Sequence, residues 1–350
     1  MASDESPPIH TRRPRYAGRN PRRFHEKYKE LNPDRYPAAV RKVVDAGKTP
    51  AGMHRAIMVR EVVEVLAPTP GAIAIDCTLG FGEHARALLE RIQPGGRLIG
   101  LDVDPIELPR THARLRAAGF ADDTFRAYRR NFAGLLQVLA AEAISGADLV
   151  LADLGVSSMQ LDNPARGFTY KESGPLDMRM NPGRGEPASR FLRHQTEDAL
   201  ARLLEANADE PAARVLARAL TTVPIRTTGD LRRRVESALR AARPDIAAVD
   251  VEKAVRRTFQ ALRIAVNDEF SALETFLRHL PACLAAGGRV AILTFHSGED
   301  RRVKKAFAAG QRDRTYAAIA DQVVRPSREE VRANPRAASA KLRWAIKNEE

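Results

Sequence analysis

The chain has 350 residues, 44% of them hydrophobic, and 57 Lys and Arg against 44 Asp and Glu give a net charge of +13. That length allows one large domain or two modest ones, and the charge excess points toward a polyanionic partner, most simply nucleic acid, although solubility alone also accounts for a basic face. No run approaches the roughly 18 apolar residues of a membrane span. The N-terminus lacks the apolar run of a secretory signal, and Cys77 and Cys283 lack metal-like spacing, so the expectation is a reduced, cytoplasmic protein.

Residues 1–50 read as a basic arm. Between His10 and Lys48 there are twelve Lys or Arg against four acids, with Tyr16, Phe24, Tyr28 and Tyr36 interleaved. Arginines and aromatics together suit phosphates and unpaired bases, and the same composition suits a disordered tail. Helical periodicity over 53–66 leads into a first strand at 72–77. Then comes an alternation: helix 84–93, strand 97–103, a helical segment from Pro105 to about Gly119, strand 124–130, helix 132–144 and strand 147–154. Pro109 is expected to disturb the first turn of the second helix. Strands alternating with helices of this length predict an α/β fold with a doubly wound, mostly parallel sheet.

After Leu154 the alternation stops. Residues 155–187 form a polar Gly/Pro-rich loop, long enough to be functional, and helical patterns fill 188–243. A long helix over 254–285, a Gly287–Gly288 turn and a strand over 289–296 then resume the pattern. The predicted organisation is therefore an arm at 1–50, a core of 51–160 and 253–350, and an inserted helical substrate domain at 161–252. The tail ends in a half-buried strand pattern over 340–347.

The chemistry gathers at strand ends. Asp76-Cys-Thr-Leu-Gly80-Phe-Gly82-Glu-His84 is a strand, a glycine loop and a helix start, the unit that places a ligand beyond the strand's C-terminal end. Asp102 closes the next strand twenty residues after Gly82, where a carboxylate can accept both ribose hydroxyls of an adenosine. Asp153 ends the fourth strand, with Ser157, Ser158 and Gln160 on the loop that follows. A strand-end carboxylate can be a structural cap, but one that precedes a long polar loop suits a site. His296 ends the last parallel strand; Ser297 or Asp300 can cap a following helix at Arg301–Ala309. Gln260, Arg263 and Asn267 share one helical face, a stripe that is ordinarily solvated. A basic arm, a glycine loop with Asp102 and the strand-end Asp153 together fit transfer of a group from an adenosine cofactor to a base. An exocyclic base amine is a poor nucleophile, and a carboxylate accepting its hydrogen bond localises the lone pair. Such chemistry needs neither a metal nor a covalent nucleophile, and the sequence offers no pattern for either.

Six spaced motifs carry a resemblance: Asp153-Leu-Gly-Val-Ser-Ser158; Arg166-Gly-Phe168; Gly174-Pro-Leu-Asp-Met-Arg179; Phe259-Gln-Ala-Leu-Arg-Ile264 with Asn267; Phe295-His-Ser with Glu299-Asp-Arg301; and Asn334-Pro-Arg with Ser339-Ala-Lys-Leu-Arg343. In this order they resemble the ribosomal RNA small subunit methyltransferase H family, the MraW type, from about His54 to Arg343. The resemblance implies a Rossmann-like class I methyltransferase core with a helical insertion and S-adenosylmethionine as donor. It implies N4 of a cytidine in the decoding region of 16S ribosomal RNA as acceptor, within the small ribosomal subunit. Carried over by position, its cofactor contacts fall on Gly82, Glu83, His84, Asp102, Phe132, Asp153 and Gln160. Asp153, Ser157 and His296 are then the candidates around the reacting amine. Glu83 stands where the family commonly has Gly, and Gly298 where it usually has Leu. The oligomeric state, a homodimer included, stays open.

Two other readings compete. Gly80-Phe-Gly82-Glu-His-Ala85 also fits the dinucleotide fingerprint of an oxidoreductase, and Glu83 makes a non-catalytic RNA-binding protein on a degenerate methyltransferase fold conceivable. The motifs after Asp153 favour the methyltransferase over the first.

Overall fold

A computed structural model describes residues 56–349; the predicted arm at 1–50 lies outside them. The described chain opens with helix α1 (Val59–Leu66), which buries Val62 and Leu66. Alternation then follows as read: β1 (Ile73–Asp76), α2 (Glu83–Ile92), β2 (Arg97–Asp102), α3 (Glu107–Ala117), β3 (Phe125–Arg129), α4 (Leu135–Ala141) and β4 (Ala147–Asp153). Pro109 sits in the first turn of α3, where a missing N–H costs nothing because that turn's donors have no partner inside the helix.

Beyond β4 come α5 (Ser158–Asp162), α6 (Ala188–Arg193), α7 (Glu197–Ala208), α8 (Ala213–Thr221), α9 (Thr228–Ala242) and α10 (Ala248–Asn267). Helices α6 to α10 pack around a cluster of their own that runs from Phe168 to Leu262, so this core reaches ten residues past position 252. The chain returns through α11 (Glu269–Cys283), β5 (Leu284–Thr294), α12 (Ser297–Arg312), β6 (Tyr316–Ile319), α13 (Arg328–Ala333) and β7 (Lys341–Lys347).

The sheet order among the described residues is β3-β2-β1-β4-β5-β7-β6. The first five strands are parallel, while β7 runs antiparallel to both β5 and β6. One face buries Ile75, Leu101, Val150 and Ile292 against α11 and α12. The other buries Ala74, Leu98, Leu151 and Leu293 against α1, α2 and α3. Strands covered on both sides favour apolar residues on both faces, which is why β1, β2 and β4 read as largely apolar runs, with Asp148 near the start of β4 accepting the Ile73 N–H.

Two expectations change, and one strand goes unread. The helix predicted over 254–285 is two helices, because Asp268 adopts φ 52° and turns the chain; Asp is among the few residues that visit this region at modest cost. Strand β5 begins at Leu284 rather than 289, and Gly287–Gly288 form an irregularity within it opposite Ala147 and Leu149. A side chain at Gly288 would lie 2.8 Å from the Ala147 carbonyl oxygen. Strand β6 escapes the sequence reading, since Tyr-Ala-Ala-Ile shows neither alternation nor a strong apolar run.

Candidate active site

Strand order reverses between β1 and β4, and there a cleft of about 770 Å³ opens along the C-terminal strand ends. Three acids end the strands that feed it: Asp102 on β2, Asp76 on β1 and Asp153 on β4.

On the β2 side the backbone does most of the work. Gly80 N–H donates to Asp102 Oδ2 and Asp104 N–H to Asp102 Oδ1, both at 2.8 Å. Burial raises Asp102 to about 6, and these two donors restrain the rise. The glycines divide their tasks. Gly82 has φ 87°, and a Cβ there would lie 2.7 Å from Thr111 Cγ2, so its bareness serves the packing of α3 on the loop. Gly80, at φ 47°, would meet only its own loop's Thr78 oxygen, at 3.6 Å, and leaves the cleft wall open. Of the two, Gly80 is therefore the one that lets backbone approach a ligand. Glu83, the first residue of α2, accepts the N–H of Ala56, so its carboxylate is committed to the segment leading into α1. Phe132 begins the turn after β3, lines the cleft and packs edge-on against Phe276, 5.4 Å between centroids.

The 157–166 segment is held from below. Ser157 and Gln160 form a capping box at the start of α5: the Ser157 hydroxyl accepts the Gln160 N–H while Gln160 Oε1 accepts the Ser157 N–H. Gln160 Nε2 also donates to Asp104 Oδ2 at 2.7 Å, beside Arg166 Nη1 at 2.8 Å. Arg166 continues to the carbonyls of Arg179 and Met180. Both loops are thus tied to the β2 end.

On the β4 side Asp153 has no such donors. Its Oδ1 is enclosed without a protein partner, although about a quarter of the side chain faces the cleft. Its Oδ2 lies 3.7 Å from His84 Nδ1, beyond hydrogen-bond range. His84 Nε2 is 3.0 Å from the Ile57 carbonyl oxygen, which requires the Nε2–H tautomer and leaves Nδ1 with its lone pair. Burial lowers His84 to about 4, so it stays neutral and lends Asp153 no charge. Burial, then the charges of Asp76 and Glu299, push Asp153 up to about 8. Asp76 is itself pushed to about 7 by burial, and Thr78 N–H offsets part of this.

His296 is the N-cap of α12, a role expected of Ser297 or Asp300; its Nδ1 accepts the Glu299 N–H. It packs beside Phe270 and is not part of the cleft lining, whereas Glu299 is. Burial works to raise Glu299, but His296, the Arg263 charge and the Phe295 N–H together hold it below its ordinary value. Phe270 also fills the space where a side chain at Gly298 would stand, 2.6 Å from its ring. The stripe on α10 is not solvated. Arg263 binds Glu269 through two hydrogen bonds of 2.8 and 2.9 Å, and Asn267 accepts the Met180 N–H while donating to the Met178 carbonyl. Among the described residues Glu269, His296 and Glu299 bring their ligand atoms within 4.8 Å of one another, and Arg263 supplies the positive charge beside them.

Gly80, Gly82, Glu83, His84, Asp102, Phe132, Asp153, Ser157 and Gln160 therefore share the cleft lining, and of the predicted site residues His296 alone stands outside it. The reading missed Asp76, Asp104, Glu269 and Glu299. Asp76 ends an apolar run as Asp102 and Asp153 do, so the same signal was present for it.

A five-stranded parallel core with antiparallel β7 inserted before β6, and a nucleoside cleft at its switch point, define a Rossmann-like class I methyltransferase. The cleft suits the S-adenosylmethionine of that class: open backbone at Gly80, a strand-end acid at Asp102 and an aromatic at Phe132 are a donor set for an adenosine. The chain belongs to the MraW methylase family, whose profile matches residues 51–348. It is 49% identical to a ribosomal RNA small subunit methyltransferase H 2 of Alkaliphilus metalliredigens over 96% of this chain and 97% of that protein. It is 45% identical to a ribosomal RNA small subunit methyltransferase H 1 of Agathobacter rectalis over 97% and 98%. A ribosomal RNA small subunit methyltransferase H 1 of Lachnoclostridium phytofermentans, also 45% identical, aligns over 99% and 95%. S-adenosylmethionine is the methyl donor of this chain.

Proposed function

We propose that the protein transfers a methyl group from S-adenosylmethionine to N4 of a cytidine in the decoding region of 16S ribosomal RNA, within the small ribosomal subunit. The observation that carries this reading is the Asp153 side chain, about a quarter of it open to the cleft that Asp102 also lines, with no hydrogen-bond donor to its carboxylate among the described residues. The cofactor supplies an electrophilic methyl on a sulfonium. The protein supplies position and an acceptor. Asp102, with Gly80, Phe132 and Gln160, holds the nucleoside end, and the capping box of Ser157 fixes the loop beside it. Asp153 accepts the N4–H hydrogen bond, draws the amine lone pair out of conjugation and offsets the charge that develops on nitrogen. Its ionised form does this, and burial, then the charges of Asp76 and Glu299, set the pH at which that form appears. His84, neutral and tied to Ile57, orients the wall behind Asp153 and moves no proton. Glu299 accepts the Phe295 N–H and feels the charge of Arg263 at the cleft's acceptor-side wall.

In this reading the helical unit at 161–252 recognises the substrate, and the arm at 1–50 adds sequence-independent RNA affinity. The names of the relatives support RNA of the small subunit as the acceptor. Labelled methyl transfer to unmethylated small subunits, followed by nucleoside analysis, tests the proposal: label is expected in N4-methylcytidine, and label in any other nucleoside contradicts it. Deleting residues 1–50 is expected to preserve cofactor affinity and to flatten the salt dependence of RNA binding.

A further inference from the structure

The cleft has an uneven charge distribution. Its floor holds Glu299, buried, and Asp153, half-buried, and a phosphate brought near their ionised forms would be repelled. The cations on its acceptor side differ in what they are free to do. Arg263 donates two hydrogen bonds to Glu269, which neutralises it, and Arg336 pairs with Asp162. Lys171 and Arg256, both exposed and both lining the same cleft, form no ion pair among the described residues. The acids closest to them in sequence are otherwise engaged or apart: Glu252, one turn before Arg256, binds Arg232 at 3.0 Å. Arg256 and Arg263 share one face of α10, seven residues apart, or about 10 Å along the helix. That spacing compares with the reach of a nucleotide from its phosphate to its base edge. Tyr170, beside Lys171, also lines the cleft, its ring set edge-on against Phe259 at 5.2 Å.

Given the RNA acceptor proposed above, on which this rests, we infer that Lys171 and Arg256 form a backbone-phosphate site at the acceptor lip, holding the phosphate next to the nucleotide whose base reaches Asp153. Unpaired cations at a lip above a floor of carboxylates sort the two ends of the nucleotide: the anionic backbone stays outside, and the neutral base enters. The site carries no base information, so it positions the strand without selecting its sequence.

The test compares the intact protein, a Lys171→Glu/Arg256→Glu double variant and a charge-retaining Lys171→Arg/Arg256→Lys double variant, with unmethylated small ribosomal subunits as substrate. In the charge-reversed protein KM for the subunit is expected to rise roughly 10- to 100-fold, and the slope of log KM against log salt to fall by about 1. The loss falls on KM rather than kcat, S-adenosylmethionine affinity and thermal midpoint hold, and the charge-retaining variant behaves as the wild type. Unchanged KM and salt slope in the reversed variant would overturn the phosphate site, as would a parallel loss of cofactor affinity, which would make these residues structural. If the wild-type protein itself methylates no RNA, the acceptor reading fails; if it does and the reversal is silent, only the phosphate site fails.

Discussion

Asp102 and Asp153 end neighbouring parts of one sheet, face one cleft and are both half-buried, yet they are set up for different work. Asp102 accepts two backbone N–H groups and titrates at about 6, whereas Asp153 has an oxygen with no donor and titrates at about 8. Burial raises both, so the difference lies in their surroundings. Gly80 and Asp104 deliver N–H groups to Asp102, whereas Asp76 and Glu299 bring two further carboxylates near Asp153. A carboxylate already satisfied by backbone is a fixed binding post. One that is enclosed, unpaired and crowded by like charge gains most when a donor such as an amine arrives, and that gain is what a reacting site needs.

The sharpest way to break this contrast is Asp153→Asn, which keeps shape and one acceptor oxygen but removes the charge. Turnover at saturating cofactor is expected to fall by about 10²-fold or more, with cofactor affinity changing far less. A normal turnover with weakened cofactor binding would make Asp153 a binding post like Asp102. The converse substitution, Asp102→Ala, removes the carboxylate proposed to bind the ribose. Cofactor affinity is expected to drop by about 1.5–3 kcal/mol in a titration, with the fold retained.

Stability separates the two acids in the opposite sense. Asp153 holds its proton in the folded state up to about 8, whereas the unfolded chain releases it near the ordinary value of 3.8. The folded state therefore binds more protons between those limits, and wild-type stability declines from this group as pH rises through the window. Asp153→Asn does not titrate, so its advantage over the wild type should grow from pH 4 to pH 8 and then level off. Thermal melts are expected to show a midpoint higher by roughly 2 °C or more at pH 8. A constant offset across pH would mean that Asp153 is ionised throughout. The smallest effect belongs to Glu83→Gln: its carboxylate is engaged by the Ala56 N–H, so cofactor affinity should stay within about threefold, measured by the same titration.

The cofactor half of this comparison was legible in the sequence and much of the acceptor half was not. A short strand ending in an acid, then glycines and a helix start, are local features, and local patterns read well along a chain. The insertion showed as a break in the alternation. Glu269, by contrast, meets Arg263 only because Asp268 reverses the chain at φ 52°, a turn that no periodicity marks. His296 was visible as a strand-end histidine, but its imidazole faces Glu299 and Phe270 as a cap, which depends on how β5 passes into α12. Gly82 reads as a ligand glycine and does line the cleft, but its packing role was hidden, because Thr111 of α3 fills the space of its missing side chain. Pairings between elements set these roles, and a single sequence does not display them.

The most direct measurement of the central claim is the pH dependence of single-turnover methyl transfer, with cofactor and small subunit both saturating, for the wild type and Asp153→Asn. An Asp153 that must be ionised to accept the amine predicts a wild-type rate that climbs with pH, about tenfold per unit at first, and levels off above about 8. The Asn variant is expected to be slow and to lack that limb. A wild-type rate that is flat from pH 6 to pH 9, or a variant that keeps the same limb, would contradict the assignment of Asp153 as the amine's acceptor.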